Sequence, residues 1–400
     1  MEPCAKPEPV REFIPYGRQS VDADDLAAVA AVLQSDWLTT GPLVEKFEYE
    51  FSKWTGAVHS VAVSSGTAAL HAAVFAAGIG PGDEVIVPAI TFAATANSVE
   101  YQGGKAVFAD VDPDTLLIDP EDAERRITPR TKAIITVDFA GQPCDYSAFF
   151  SLARKRGLTF IADACHSLGA EYKGKKTGTL ADLTAFSFHP VKHITTGEGG
   201  MISTGSSELA ARMRRFRNHG ISTDHRQRTG RKMWEYEMTE LGYNYRITDF
   251  QCALGVSQLK KLNSWLVRRN EIARFYHASF SGSPIMPLEL LPEIRHAYHL
   301  YVLRLGPGIG KPDRRKVFLR LHEMGIGANV HYIPLHYHPY YRDKYGLKRG
   351  DYPAAEAAYE RILSIPIFPG MSDEDCGSVV DAVFRAADLA RSGRRPGWKK

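Results

Sequence analysis

Between residues 58 and 205, short runs of β-branched and other apolar residues alternate with segments whose apolar positions recur at helical spacing. The extended runs fall at 58–63, 84–87, 106–110, 133–137, 158–163, 183–188 and 200–203. Helices are predicted between most of them, at 68–77, 93–101, 120–126 and 146–156. A strand that is followed by a helix comes back to pair in parallel. The rhythm therefore predicts an α/β fold, with a mostly parallel seven-stranded sheet covered by helices on both faces. After residue 205 the rhythm changes. Segments 207–218 and 248–262 read as helices, the second with Thr248 or Asp249 as its N-cap. A loop at 287–293 leads into a smaller αβ region with strands expected at 299–305 and 328–332. The chain so divides into a large domain over 26–260, a smaller C-terminal domain over 261–400, and an N-terminal segment, 1–25, packing near the latter. No internal repeat or low-complexity linker intervenes.

Composition narrows the partners. The 400 residues are enough for a large core and more than one domain, and 44% hydrophobic with 24% charged residues is ordinary for a soluble globular protein. A net charge of +3 is too small to suggest a nucleic-acid partner, and the basic end at 391–400 reads as a frayed, solvated tail. Cys4, Cys144, Cys165, Cys252 and Cys376 are odd in number and form no CxxC pair, which argues against a disulfide framework or a zinc site and for a reducing cytoplasm. The N-terminus carries prolines and charges where a signal peptide would carry an apolar run, and no apolar stretch reaches membrane-spanning length.

Four features lie at predicted strand ends, where open α/β sheets bind ligands. Ser64-Ser65-Gly66-Thr67 opens the Ala-rich helix. Its amides and helix dipole favour an anion, and the Ser65 and Thr67 hydroxyls add donors, although the same residues also make a plain capped helix start. Asp163 ends an apolar run, where a carboxylate needs a partner. A cationic ring nitrogen such as that of pyridoxal 5'-phosphate (PLP) would serve, and so would an ordinary turn-capping role. Lys192 follows the run at 183–188, where apolar surroundings would lower its pKa as Schiff-base chemistry requires; Ser187, before it, can donate to a phosphate. A lone lysine is usually a solvated charge, but Asp163 and Lys192 each follow their own strand. Phe92, within Thr91-Phe92-Ala93-Ala94-Thr95-Ala96-Asn97, and His166 can cover a flat ring or simply be core residues.

In chain order, SSGT, TFAATAN, DACHS, SFHPVK…GEGG and GYNYRITDFQCALG resemble the DegT/DnrJ/EryC1/StrS family of sugar-nucleotide aminotransferases, from PYGRQS at Pro15 to the apolar region 362–369. SFHPVKHITTGEGG and NVHYIPLHYHPYY are most similar to PseC-type members, which aminate UDP-4-keto-6-deoxy-L-AltNAc from glutamate on the way to pseudaminic acid. The resemblance implies a type I PLP fold and a homodimer with shared active sites. It implies Lys192 as the Schiff-base lysine, Asp163 on the pyridinium nitrogen, and Ser187, Gly66 and Thr67 on the phosphate. Asn244 would reach the partner subunit's phosphate; by itself it reads as a turn residue. Tyr16, Asp36, Trp37, Leu38, Thr39, His331 and Tyr332 would line the sugar-nucleotide site, unless they are core or interface. The implied reaction is ping-pong, with glutamate leaving as 2-oxoglutarate before the keto sugar enters. Gly66 stands where PseC relatives often carry Ala, a change expected to be harmless, and Cys165 where a small residue is usual. The charged stretch 232–240 has no functional reading.

Three rivals stand beside this reading. A PLP-dependent sugar dehydratase of the same family carries His in place of the lysine, and His193 is adjacent. A non-enzymatic cofactor-binding regulator lacks a DNA-binding helix or basic face. A nicotinamide oxidoreductase would need GxGxxG, which Ile79-Gly80-Pro81-Gly82-Asp83 does not supply.

Overall fold

A computed structural model describes residues 13–223, 225–306 and 314–389; the basic tail and Cys4 lie outside them. The central sheet has seven strands in the spatial order His59–Val63, Gly200–Thr204, Leu183–Ser187, Thr159–Asp163, Thr131–Val137, Glu84–Pro88 and Lys105–Ala109. Pairing is parallel from Leu183–Ser187 through to Lys105–Ala109. Gly200–Thr204 is antiparallel to both of its neighbours. The cause is local: no helix forms between Leu183–Ser187 and Gly200–Thr204, so the chain turns back beside the strand it has left. That turning segment carries Lys192. The inner strands are buried along most of their length, as expected when helices cover both faces.

The helix predicted from 248 runs on to Phe280. It is capped by Thr248 and Gln251, which bond each other's backbone amides, and spans Asp249–Phe280. No Gly or Pro falls after residue 262 to stop it. Cys252, Leu259, Leu262 and Leu266 pack into the large-domain core, while Ile272, Ala273, Tyr276 and Phe280 pack into the C-terminal core. The division placed near 260 therefore falls inside one continuous element. Between the two sets, Arg269 is 2% exposed and donates to the carbonyls of Tyr298 and Ile367, both at 2.9 Å.

The C-terminal region holds a three-stranded antiparallel sheet of Ile285–Pro287, Tyr301–Leu305 and Ile362–Ile365. The strand expected at 328–332 is absent: only Asn329 pairs, with Ser364, and His331 and Tyr332 leave the sheet edge for side-chain partners described below. Ile14 bridges Ile326, and the Tyr16 carbonyl accepts from the Ile367 amide at 3.2 Å, which seats residues 14–16 on the C-terminal region. Cys144, Cys165, Cys252 and Cys376 are free thiols. No helix among the described residues is long and apolar enough to cross a membrane.

Candidate active site

Asp163, the last residue of its strand, is 5% exposed. Its Oδ2 accepts from Thr95 Oγ1 at 2.8 Å, and Thr95 is linked in turn to Thr91 Oγ1 at 2.9 Å. Its Oδ1 accepts from the Cys165 amide at 3.2 Å. Both donors are neutral, and no described ion pair includes Asp163. A buried carboxylate in that state fits a cationic partner supplied from outside the chain.

Lys192 is half-buried beside it. Burial pushes its ammonium below the ordinary lysine range, while Cys165 and Asp163, close enough to act on its charge, pull the other way. The amine so stays nearer to its uncharged, nucleophilic form than a solvated lysine does. Its Nζ lies 3.5 Å from His299 Nε2.

The start of the helix Gly66–Ala76 meets Ser187, an arrangement that could hold an anion. Ser65 caps that helix by accepting from the Ala68 amide at 3.0 Å, leaving the amides of the first turn without intrahelical acceptors. A Cβ on Gly66 would lie 2.7 Å from Ser187 Cβ, 3.0 Å from its Oγ and 3.3 Å from Cys165 Sγ. A side chain at residue 66 would crowd Ser187 and Cys165, so glycine suits the space that these two leave. Gly66→Ala is expected to weaken cofactor affinity by about 10- to 100-fold, the ordinary cost of overpacking. Equilibrium titration with PLP measures this; unchanged affinity would show that Ser187 relaxes freely.

Aromatic side chains extend the site outward. His166 Nε2 and the Tyr332 hydroxyl are 3.1 Å apart. Phe92, 58% exposed, lies 5.9 Å from the Tyr332 ring, and the His331 ring lies 5.0 Å from Tyr332 and 5.4 Å from Tyr16. His331 Nδ1 is fixed to Ser364 Oγ at 2.8 Å. Burial lowers the pKa of His331 to about 4 and that of His166 well below its usual value, and Lys192 acts on both. Tyr16, Phe92, His166, His331 and Tyr332 so form one connected wall beside Lys192. His193 turns elsewhere, with Nε2 on the Ala297 carbonyl at 3.0 Å.

The remaining sequence candidates lie apart. Asp36, Trp37, Leu38 and Thr39 are exposed at the start of the long helix, where the Leu38 carbonyl accepts from the Asp249 amide and Thr39 bridges Thr248. Near them, Gln251 donates to the Glu198 carbonyl of the Lys192 segment at 2.7 Å. Asn244 is exposed and bridges Asn218. None of these five is bonded to Asp163 or Lys192 of the same chain. Sequence reasoning also missed contributors: Thr95 and His299 touch the two central groups, yet had no assigned part. A threonine in an Ala-rich helix carries a weak signal, and His299, 107 residues from Lys192, carries none.

A helix start beside Ser187, a buried carboxylate held by neutral donors, a lysine whose pKa burial lowers and a group of aromatic rings together fit PLP by their chemistry. Comparison with known proteins agrees. Residues 19–384 match the model of the DegT/DnrJ/EryC1/StrS aminotransferase family. The chain is 43% identical over 375 residues to the spore coat polysaccharide biosynthesis protein SpsC of Bacillus subtilis, covering 93% of this chain and 96% of the relative. Its fold is similar to the sugar aminotransferase Spr1654 of Streptococcus pneumoniae, described as putative, in the PMP form, with TM-score 0.89, 32% identity and coverage of 94% of this chain and 99% of the other. Helicobacter pylori PseC, an aminotransferase of pseudaminic acid biosynthesis, gives TM-score 0.88 at 32% identity, over 94% of this chain and all of the other. The chain therefore belongs to the DegT/DnrJ/EryC1/StrS family and is a PLP-dependent sugar aminotransferase.

Proposed function

We propose that this enzyme moves an amino group from glutamate to the keto carbon of a nucleotide-linked 4-keto-6-deoxy sugar, with UDP-4-keto-6-deoxy-L-AltNAc as the substrate. The observation that carries the reading is the convergence of Asp163, Lys192 and the Gly66–Ser187 contact beneath the Tyr16–His331–Tyr332 wall. The likeness to PseC supports the sugar.

Bound PLP supplies an electron sink that lets the carbon bearing the amino group lose its proton. The chain's residues do the rest. Asp163 holds the ring nitrogen protonated by charge complementarity. Ser187, Ser65, Thr67 and the amide of Gly66 anchor the phosphate and fix the ring's orientation. Phe92 and His166 cover the ring, and Lys192 Nζ takes a proton from carbon and returns it, its pKa lowered by burial toward the range such transfer needs. Tyr16, His331 and Tyr332 recognise the sugar nucleotide, and the 36–39 segment, which lies apart from them in its own chain, adds to this across the homodimer. Asn244 and its segment act across a homodimer, which would explain why Asn244 faces outward from its own subunit. The site of action is the cytoplasm, where sugar nucleotides and glutamate are available.

The dehydratase reading is weaker. A lysine, not a histidine, lies beside Asp163, and the neighbouring His193 is committed to the Ala297 carbonyl.

A panel of UDP-, GDP- and dTDP-linked 3- and 4-keto sugars, incubated with glutamate and read by mass spectrometry, tests the proposal. Amination of the UDP-linked 4-keto-6-deoxy amino sugar in clear preference to the others is the expected result. Preference for a dTDP- or GDP-linked sugar, or for a 3-keto group, would replace the substrate and leave the chemistry standing.

A further inference from the structure

His299 lies just ahead of the strand Tyr301–Leu305, and the fold takes unusual measures to place it. On one side the chain crosses Ala140 and Gly141, both at positive φ (58° and 105°). The Ala297 amide donates to the Gly141 carbonyl at 2.9 Å and the Leu300 amide to the Ala140 carbonyl at 3.1 Å. A Cβ on Gly141 would sit 2.9 Å from the amide nitrogens of both Tyr298 and His299, and 2.8 Å from the His166 carbonyl. Only glycine permits three backbone segments to meet so closely there. On the other side, Arg269 is buried with carbonyls for partners: Tyr298 and Ile367 at 2.9 Å and His299 at 3.5 Å. A buried guanidinium without a carboxylate is costly, and this one is spent on holding the backbone of residues 298–299.

The side chain thus clamped is 5% exposed, packs its ring 4.4 Å from that of His166, and points Nε2 at Lys192 Nζ, 3.5 Å away. That separation is at the outer limit of a hydrogen bond, as is common for active-site pairs before ligands bind. Burial keeps His299 uncharged, so it does not repel an ammonium as a cation would.

We propose that His299 is the positioning residue for the Lys192 amine: in the tautomer with its proton on Nδ1, its Nε2 accepts a hydrogen bond from Nζ and holds the amine at the Asp163 end of the sheet whenever it is free. The inference rests on the assignment of Lys192 made above. It implies that the free amine does not search rotamers between proton transfers, because its resting place is built into the fold. The titratable groups facing Lys192 are Asp163, Cys165, His166, His193, His299 and His331. Among them, His299 is the one within hydrogen-bond distance of Nζ.

The test uses the full chain with cofactor removed. Trace acetylation with acetic anhydride is followed from about pH 6 to about pH 10, with the Lys192 peptide quantified by mass spectrometry. His299→Leu and His299→Asn should lower the Lys192 midpoint by about one pH unit, because an ammonium deprived of an acceptor loses its proton more readily. His299→Gln, whose longer side chain can place an amide oxygen near the Nε2 position, should titrate like the native protein. Should the Leu variant fail to fold, the Asn–Gln comparison alone decides, since the two are equally polar and differ by one methylene. Unmoved midpoints in Leu and Asn, or a shift in Gln as large as in Asn, overturn the proposal. Borohydride reduction of each variant with PLP separates this failure from the broader one. An adduct on a lysine other than Lys192 removes the assignment of Lys192 itself, whereas an adduct on Lys192 with unmoved midpoints removes only the role of His299.

Discussion

Lys192→Ala is expected to abolish amino transfer, lowering turnover by at least about 10⁴-fold, while leaving the fold intact. The size follows from two losses at once. The variant has no amine to attach the cofactor, and no group takes over the proton at carbon. The neighbours are poor substitutes. His193 is bound to a carbonyl, and burial holds His166 and His299 far below the pKa at which they would serve as acids. Truncation removes a half-buried side chain from a loop, not from the sheet, so the core clusters are untouched. Cofactor should still bind non-covalently, since Asp163 and the helix start beside Ser187 remain. The measurement is paired: borohydride reduction followed by peptide mapping, and amination of the keto sugar. Turnover within tenfold of native would show that another group carries the proton and would remove Lys192 from the centre of the reaction.

Much of this arrangement is legible in the sequence, for a physical reason. The strands of the main sheet are buried along most of their length, so they appear as largely apolar runs with sharp ends, and the observed bounds differ from the predicted runs by no more than two residues. Asp163 and Lys192 are conspicuous because each breaks apolar surroundings at such an end. What the pattern hides is long-range. The Asp249–Phe280 helix joins two cores, and its periodicity does not say that Leu266 and Ile272 serve different ones. The reversed Gly200–Thr204 strand is buried like the parallel strands, so its direction leaves no mark in the pattern. His331 and Tyr332 alternate like strand residues, yet Ser364 and His166 draw them out of the sheet. The role of Gly66 depends on Ser187 and Cys165, each about 100 or more residues away, so volume at one position cannot be judged from that position alone.

Asp163→Asn isolates the charge from the shape. The amide has the volume of the carboxylate, and its oxygen can still accept from Thr95 Oγ1 or the Cys165 amide, so burial and packing are preserved. What disappears is the negative charge that would stabilise a protonated ring nitrogen in a water-poor site. Loss of one preorganised electrostatic partner costs roughly 10²- to 10³-fold in rate, and that drop in kcat is expected here with cofactor still bound. Thr95→Val is the matched control. It removes a donor to Oδ2 but leaves the charge, so it should cost about 10- to 100-fold, the value of a single hydrogen bond to an ionised group. The ordering of the two variants carries the argument: charge should matter more than the hydrogen bond that aims it. Near-native rates in Asp163→Asn would show that the carboxylate is structural. Equal losses in both variants would mean that aim, not charge, limits the reaction, since the buried Thr95 hydroxyl bonds Asp163 and Thr91.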